Sequence, residues 1–403
     1  MQMRARVFTS LVYTVVLLNK ARCRLTHPYL VPHVRSYLFL SFLGRSKLAK
    51  MAPRLTALTL FAISVASCSA FTPPPKPFSS AASISTSLSA GFLDDLLAVA
   101  KPTNYDAPKV EIPLDFQVPE PKPLSLTRPE DVGSALKSSA ALAVRLATGA
   151  VVLGWKIDTL FAPEDDGKYA LGLGPFRIRD SSTVLQDAPR PAEPLVLYEY
   201  DASPFCKRVR ETINLLDLTV EYRPCPGARG GFSDELFERT GRRTIPYLVD
   251  PNTGTEMFES GDQIEYLLKT YGPPEDSFDR KALWPITFEA FSVFTATLAA
   301  ILRDMPAAIR QVDARPDNEK MKPLELWGYE CSPFVRPVRE KLGSLCLPHQ
   351  MVSCSRGSAN RDRLMEKTGR FQVPFLRDPN TGIEMYESPE ICDYLDSVYT
   401  VKQ

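Results

Sequence analysis

Two hydroxyls and two thiols lie where apolar runs give way to basic, helix-like stretches. Ser203-Pro204-Phe205-Cys206 follows Leu195-Val196-Leu197-Tyr198, and Ser332-Pro333-Phe334-Val335 follows Leu324-Glu325-Leu326-Trp327. Proline suits the first turn of a helix because it lacks the N–H that would go unpaired there. Each serine therefore stands at a helix mouth, where its hydroxyl either caps the first turn or takes part in chemistry. Cys206 recurs with Val209, Ile213 and Leu216 at helical spacing, so it reads as a buried thiol on a core-facing row, with Lys207, Arg208 and Arg210 on the other side. Ser203 stands where a C-x-x-C loop would need its attacking cysteine, which excludes dithiol exchange through this loop. Cys331, one residue before Ser332, is the candidate for an exposed reactive thiol.

Other site chemistries find little support. The histidines are His27, His33 and His349, and no Cys/His cluster has zinc spacing, so neither a His-based triad nor a metal site is expected. Eight scattered cysteines do not make a disulfide scaffold, which favours a thiol-reducing compartment. A net charge of +1 gives no electrostatic reason to expect nucleic acid as a partner.

The elements that position these residues occur twice. After each serine loop come Thr-Gly-Arg (240–242, 368–370), Ile245-Pro246 or Val373-Pro374, Asp-Pro-Asn-Thr-Gly (250–254, 378–382) and Glu-Ser (259–260, 387–388). A repeat of this kind is one supersecondary unit used twice. In the first copy, 195–198 and Val220-Glu221-Tyr222 read as short strands, and Phe232 to Arg239 as a helix stopped at Gly241. Pro246 enters the strand-like Tyr247-Leu248-Val249, which calls for an edge or a cis bond. Asp250 to Gly254 is a hairpin turn, and Ser260 with Gln263 is a capping-box pattern opening the last helix. The order is strand, helix, strand, helix, strand, strand, helix, an α/β unit.

This order, with the S-P-F-C loop and the Ile-Pro junction, resembles the thioredoxin-like N-terminal domain of glutathione S-transferases, and glutaredoxin. The tandem form is similar to plastid proteins of plants and algae that carry two such domains. The resemblance implies two tandem thioredoxin-like domains, and glutathione or a similar small thiol as co-substrate or ligand. Ser332-Pro333-Phe334-Val335 matches the serine-type transferase loop residue for residue, which implies that Ser203 and Ser332 steady the glutathione thiolate. It further implies glutathione contacts from Ile245, Pro246, Glu259 and Ser260, repeated by Val373, Pro374, Glu387 and Ser388. A transferase follows this domain with a long all-helical domain that forms the electrophile pocket, whereas only 273–322 intervene between these copies. The expected function is glutathione binding with weak or specialised thiol transfer. A non-catalytic thioredoxin-fold scaffold is one alternative, and a monothiol oxidoreductase using Cys331 is another.

The remaining sequence is organised around these units. No Asp or Glu precedes Asp94, and Met51 opens a signal-like segment whose apolar run is Leu55 to Ser67. The junction Ala70-Phe71, followed by a Ser/Ala/Pro-rich stretch, resembles the bipartite presequence of algae with secondary plastids. Residues 1–101 are therefore expected to be a disordered targeting leader, with the signal peptide at about 51–70 and a transit-like part at 71–101. The implied location is a plastid reached through the endoplasmic reticulum. Residues 102–194 read as a linker with a helical and loop extension: Ser134 to Trp155 as a helix interrupted by Arg145, and Asp165 to Pro194 as polar loop. The domains are expected at 195–272 and 324–399, joined by a helical connector at 273–323. Its apolar run Ala290 to Leu302 is shorter than a membrane span and reads as a helix covering the domains, while 134–155 reads as a packing or interfacial helix. Membrane association of 134–155 and 284–302 is left open by the sequence.

Overall fold

A computed structural model describes residues 108–121 and 139–401, apart from 165 and 174. The targeting leader expected over 1–101 lies outside the described residues.

The first copy runs β4 (Leu195–Glu199), α1 (Pro204–Leu215), β5 (Val220–Pro224), α2 (Ser233–Thr240), β6 (Tyr247–Asp250), β7 (Thr255–Met257) and α3 (Ser260–Tyr271). The second repeats it as β8 (Leu324–Gly328), α6 (Val335–Ser344), β9 (His349–Ser353), α7 (Asn360–Thr368), β10 (Phe375–Arg377), β11 (Glu384–Tyr386) and α8 (Ser388–Tyr399). Short α4 (Trp284–Thr287) and α5 (Glu289–Leu302) lie between them. The architecture is mixed α/β.

Successive side chains of a strand point to opposite faces, and the core divides accordingly. Leu197 packs in the large apolar core that also holds Val209 and Ile213 of α1 and Ile264 and Leu267 of α3. Its neighbour Tyr198 belongs to a second cluster with Phe232, Leu236 and Tyr247, which places α2 on the opposite face. Each fully buried leucine in such a core contributes roughly 1.5–3 kcal/mol.

The two copies share one sheet. The strand order is β11-β10-β8-β9-β5-β4-β6-β7, so it reads the same from either end of the duplication. The seam is an antiparallel pairing of β5 with β9, with Val220 opposite Met351 and Tyr222 opposite His349. Within each copy the two central strands are parallel, and β6 and β10 run antiparallel to them.

The punctuation residues sit where their chemistry requires. Gly241 and Gly369 end their helices in the left-handed conformation, at φ 70° and 73°, which glycine adopts without steric cost. The Ile245-Pro246 and Val373-Pro374 bonds are both cis. The Asp-Pro-Asn-Thr-Gly turns do more than reverse the chain. Buried Asp250 accepts hydrogen bonds from Tyr266 Oη (2.5 Å) and Tyr271 Oη (2.6 Å), and buried Asp378 accepts from Tyr394 and Tyr399 (both 2.6 Å). Each hairpin is thereby fastened to the last helix of its copy.

Three expectations are corrected. The stretch read as polar loop contains two strands, β2 (Leu171–Leu173) and β3 (Phe176–Ser182), which form a three-stranded antiparallel sheet with β1 (Trp155–Thr159). Phe176 and Ile178 alternate with Arg177 and Arg179, a period-two pattern weak enough to pass for loop. The described part of 134–155 is helical only over 139–144, then turns and reaches β1. The capping box is also absent: Glu259 holds the cap position of α3, and Gln263 instead donates its side-chain amide to Pro246 O (2.9 Å) and Met257 O (3.0 Å).

Candidate functional site

Both serines stand at the carboxyl ends of the central strands, at the mouths of α1 and α6. Ser203 Oγ accepts a hydrogen bond from Cys206 N (3.3 Å), and Ser332 Oγ accepts from Phe334 N (3.4 Å) and Val335 N (3.3 Å). The hydroxyls therefore act as caps here. Both are shielded: Ser203 is 4% exposed and Ser332 0%. Over Ser203 lies the small-residue face of α5, with Ala296, Ala299 and Ala300, and between them is a cavity of about 20 Å³. That is room for about one water molecule.

The cover is latched by Arg145, the residue expected to interrupt a helix. Its fully buried guanidinium pairs with both carboxylate oxygens of Glu211 on α1 and donates to Thr295 Oγ1 (2.5 Å) and Ser292 Oγ (3.3 Å) on α5. With its small residues turned inward, α5 leaves its large ones outside: Phe294 and Ile301, and the preceding cap residue Phe288, are all exposed.

The cationic side of α1 is also buried, contrary to the sequence expectation. Lys207, Arg208 and Arg210 all lie inside. Apolar spacing identified the face that meets the sheet, but the other face is covered by α5 and by the second copy. Arg210 pairs with Asp201 (2.9 Å) in its own copy and Glu330 (3.3 Å) in the other. The equivalent Arg339 pairs with Glu330 in its own copy and Asp201 (2.5 Å) in the other. Lys207 adds a contact to Glu330 at 2.5 Å. Burial works to raise the Asp201 carboxyl, but Arg339 and Arg210 outweigh it and hold it well below the usual carboxylate range. Burial pushes the Lys207 ammonium far down.

The thiols are not exposed. Cys331, expected as the accessible one, is buried, and burial pushes its thiol up to about 11. Burial likewise lifts Cys206 to about 12, and Cys225 and Cys354 are fully buried. A thiol held so far above neutrality supplies little thiolate, the reactive form.

The residues expected around glutathione are brought together in the first copy. Gln263 ties Pro246 to the strand that leads into Glu259. Glu259 takes φ 62°, and Glu387 repeats it at φ 72°, a conformation that costs a non-glycine residue energy and tends to mark a site. Ser260 opens α3, and Arg208 Nη1 donates to its Oγ at 3.4 Å. The same guanidinium donates to the Ile286 and Thr287 carbonyls (3.1–3.2 Å) and lies 3.6 Å from the exposed Glu289 carboxylate, which a ligand carboxylate would have to displace. A helix N-terminus beside a guanidinium favours a carboxylate. Reading Arg208 as solvent-facing hid this contribution from the sequence. Glu259 is exposed and Ile245 half-buried, so this edge is open. Pro246 and Ser260 are buried, as are Pro374 and Ser388; the second copy is more enclosed only in that Val373 is buried and Glu387 is half-buried, accepting a hydrogen bond from Gln372 Nε2 (2.7 Å). Among the described residues no group of acidic, histidine or cysteine side chains is placed to hold a metal ion.

Comparison with known proteins gives the class of the duplicated unit. Residues 197–275 and 326–402 each match the family model of the glutathione S-transferase N-terminal domain. The chain thus carries this domain in tandem. No curated protein matches the sequence. A solved structure described as TDR1 of Leishmania, a unique trimeric glutathione transferase, aligns over 52% of this chain and 68% of its own, at 14% identity. Its TM-score of 0.20 is too low for the alignment to bear on fold or function.

Proposed function

We propose that both copies are thioredoxin-like domains and that the protein binds glutathione, or a similar γ-glutamyl thiol, through the first of them. The observation that carries this reading is the open edge at which Pro246, Glu259 and Ser260 meet, with Arg208 against the start of α3. In this reading Arg208, Ser260 and the α3 N-terminus take the γ-glutamyl carboxylate, and the backbone of Ile245 pairs with the cysteinyl part. Thiol transfer through Ser203 requires α5 to draw back from α1, because the cavity beside this serine is too small for a ligand thiol. The second copy serves mainly to complete the sheet and the buried charge network. Titration of glutathione into the full chain and its Ser260→Ala variant tests the proposal: saturable binding that weakens in the variant supports it, and absence of binding refutes it.

A second reading is a non-catalytic scaffold. The burial of both serines favours it, and it predicts that glutathione does not bind. The buried Cys331 favours neither reading and counts against an oxidoreductase that uses this thiol. For localisation we propose a plastid, on the strength of the Ala70-Phe71 junction and the acid-free leader. Peripheral membrane contact, if made, would use the outward side of α5, where Phe288, Phe294 and Ile301 are exposed.

A further inference from the structure

A cavity of about 460 Å³ lies where three parts of the chain meet: the small β1–β3 sheet, the turn at Asp217 in the first copy, and the stretch from Gly357 to Asp362 in the second. None of the residues expected to contact glutathione lines it. Its floor is tightly built. Gly357 has φ +85°, and a Cβ there would come within 2.9 Å of the Trp155 ring and 3.0 Å of Ser181 O, so the loop backbone rests directly on the sheet.

The wall holds guanidinium groups with some buried donors left unpaired. Arg361 is 2% exposed and lines the cavity. Its Nε donates to Cys354 O (3.0 Å) and Ser355 O (2.9 Å), and its guanidinium lies over the rings of Phe371 and Tyr169. Its Nη1 and Nη2 are buried without a hydrogen-bond partner. The Nε of Arg179 is likewise unpartnered, while its Nη1 and Nη2 pair with Asp166 (2.6 and 2.9 Å). Arg190 donates only to the carbonyls of Leu216 (2.6 Å) and Leu185 (3.2 Å). Among the described residues neither Arg190 nor Arg361 forms an ion pair.

The acids on the wall are mostly engaged. Asp180 pairs with Arg356 (2.6 Å), Asp362 accepts from Tyr169 N (2.8 Å), and Asp158 lies 3.4 Å from Lys156. Asp217 Oδ2 accepts from Ser358 Oγ (2.9 Å), but its buried Oδ1 has no partner. The N-terminus of α7 also opens here; its cap residue Ala359 offers no capping side chain, and the first two N–H groups are taken by Ser358, whose Oγ accepts from Asn360 N (3.1 Å) and whose carbonyl accepts from Arg361 N (3.3 Å). Unmade bonds of buried donors cost free energy, and a guanidinium fork beside a helix N-terminus is suited to oxyanions.

We propose that this cavity binds a small organic oxyanion, a phosphate ester or a dicarboxylate, that also carries a hydroxyl or amino donor for Asp217. Its oxygens complete the bonding of Arg361 Nη1 and Nη2 and of Arg179 Nε, and the positive end of the α7 dipole adds to the attraction. Because the walls come from the extension and from both copies, the ligand ties the three together and raises the melting temperature by mass action.

The test is calorimetric titration and thermal unfolding of the full chain with glycerol 3-phosphate and with malate, against chloride at matched ionic strength. Ala359→Glu puts a carboxylate at the exposed mouth, at a helix start that tolerates it, and Arg361→Gln removes the buried cation. At least one anion is expected to bind saturably and raise the melting temperature. Ala359→Glu should weaken that binding about tenfold or more while leaving ligand-free stability unchanged, since a like charge now faces the anion. Ser260→Ala should leave it untouched, which separates this site from the glutathione edge. Absence of saturable binding by either anion, or binding unchanged in Ala359→Glu, overturns the proposal.

Discussion

Arg210 and Arg339 occupy the same position in the two copies and share the same two carboxylates, Asp201 and Glu330. Each arginine holds the acid of its own copy and that of the other, so the duplication is locked by a buried ring of charge at its centre.

Removing one member leaves the others buried and unbalanced. Arg339→Met is expected to lower stability by about 3–5 kcal/mol. The double variant Asp201→Leu/Arg339→Met should cost less than the sum of its single changes, by roughly 0.5–3 kcal/mol of coupling. Urea unfolding of the four proteins measures this. Strict additivity would mean that the pair is not coupled.

His349 lies at the seam, opposite Tyr222 and fully buried. Burial pushes its imidazole from 6.5 down to about 4. In this window the unfolded chain binds a proton that the folded chain refuses. The contribution of His349 is therefore constant above 6.5, and stability falls as pH drops from 6.5 towards 4, by about 1.4 kcal/mol per pH unit for one such group. His349→Phe should flatten this part of the stability profile, read from denaturation midpoints across the window. An unchanged slope would show that the imidazole does not titrate as its burial requires.

The thiols should be slow. Iodoacetamide labelling of the native protein is expected to modify Cys331 no faster than Cys206, since burial raises both, and unfolding in denaturant should expose both to rapid reaction. Preferential labelling of Cys331 in the folded protein would restore the oxidoreductase reading.

Localisation is tested separately from chemistry. A fusion of residues 51–110 to a fluorescent reporter is expected to enter the plastid of an alga with secondary plastids, and Phe71→Ala to divert it. Export of the unaltered fusion would point to plain secretion.

Much of the fold was legible because local rules and the duplication agreed. Gly241 and Gly369 end helices, Pro246 and Pro374 follow cis bonds, and the two copies share their element order. What the sequence hid was set by packing between distant segments. Arg208 and Arg210 look like a solvated face until the second copy and α5 cover them. Gln263 looks like a capping residue until the nearby Pro246 and Met257 carbonyls compete for its amide. Cys331 was assigned by its distance from Ser332 along the chain, which carries no information about burial. The Asp250 and Asp378 clusters had a signal, since each turn aspartate is followed at matching intervals by two tyrosines, Tyr266 and Tyr271 or Tyr394 and Tyr399. The helix that brings both hydroxyls to one carboxylate became evident only in three dimensions.

The most direct measurement is calorimetric titration of glutathione into the full chain, with Ser260→Ala and Ser388→Ala run beside it. One site per chain is expected, because Ile245 and Glu259 are more exposed than their counterparts Val373 and Glu387. Ser260→Ala should weaken binding about tenfold or more, as loss of a hydrogen bond to a charged group costs roughly 1.5–3 kcal/mol, and Ser388→Ala should change little. Failure of the parent protein to bind glutathione, or an equal loss in both variants, would contradict the account.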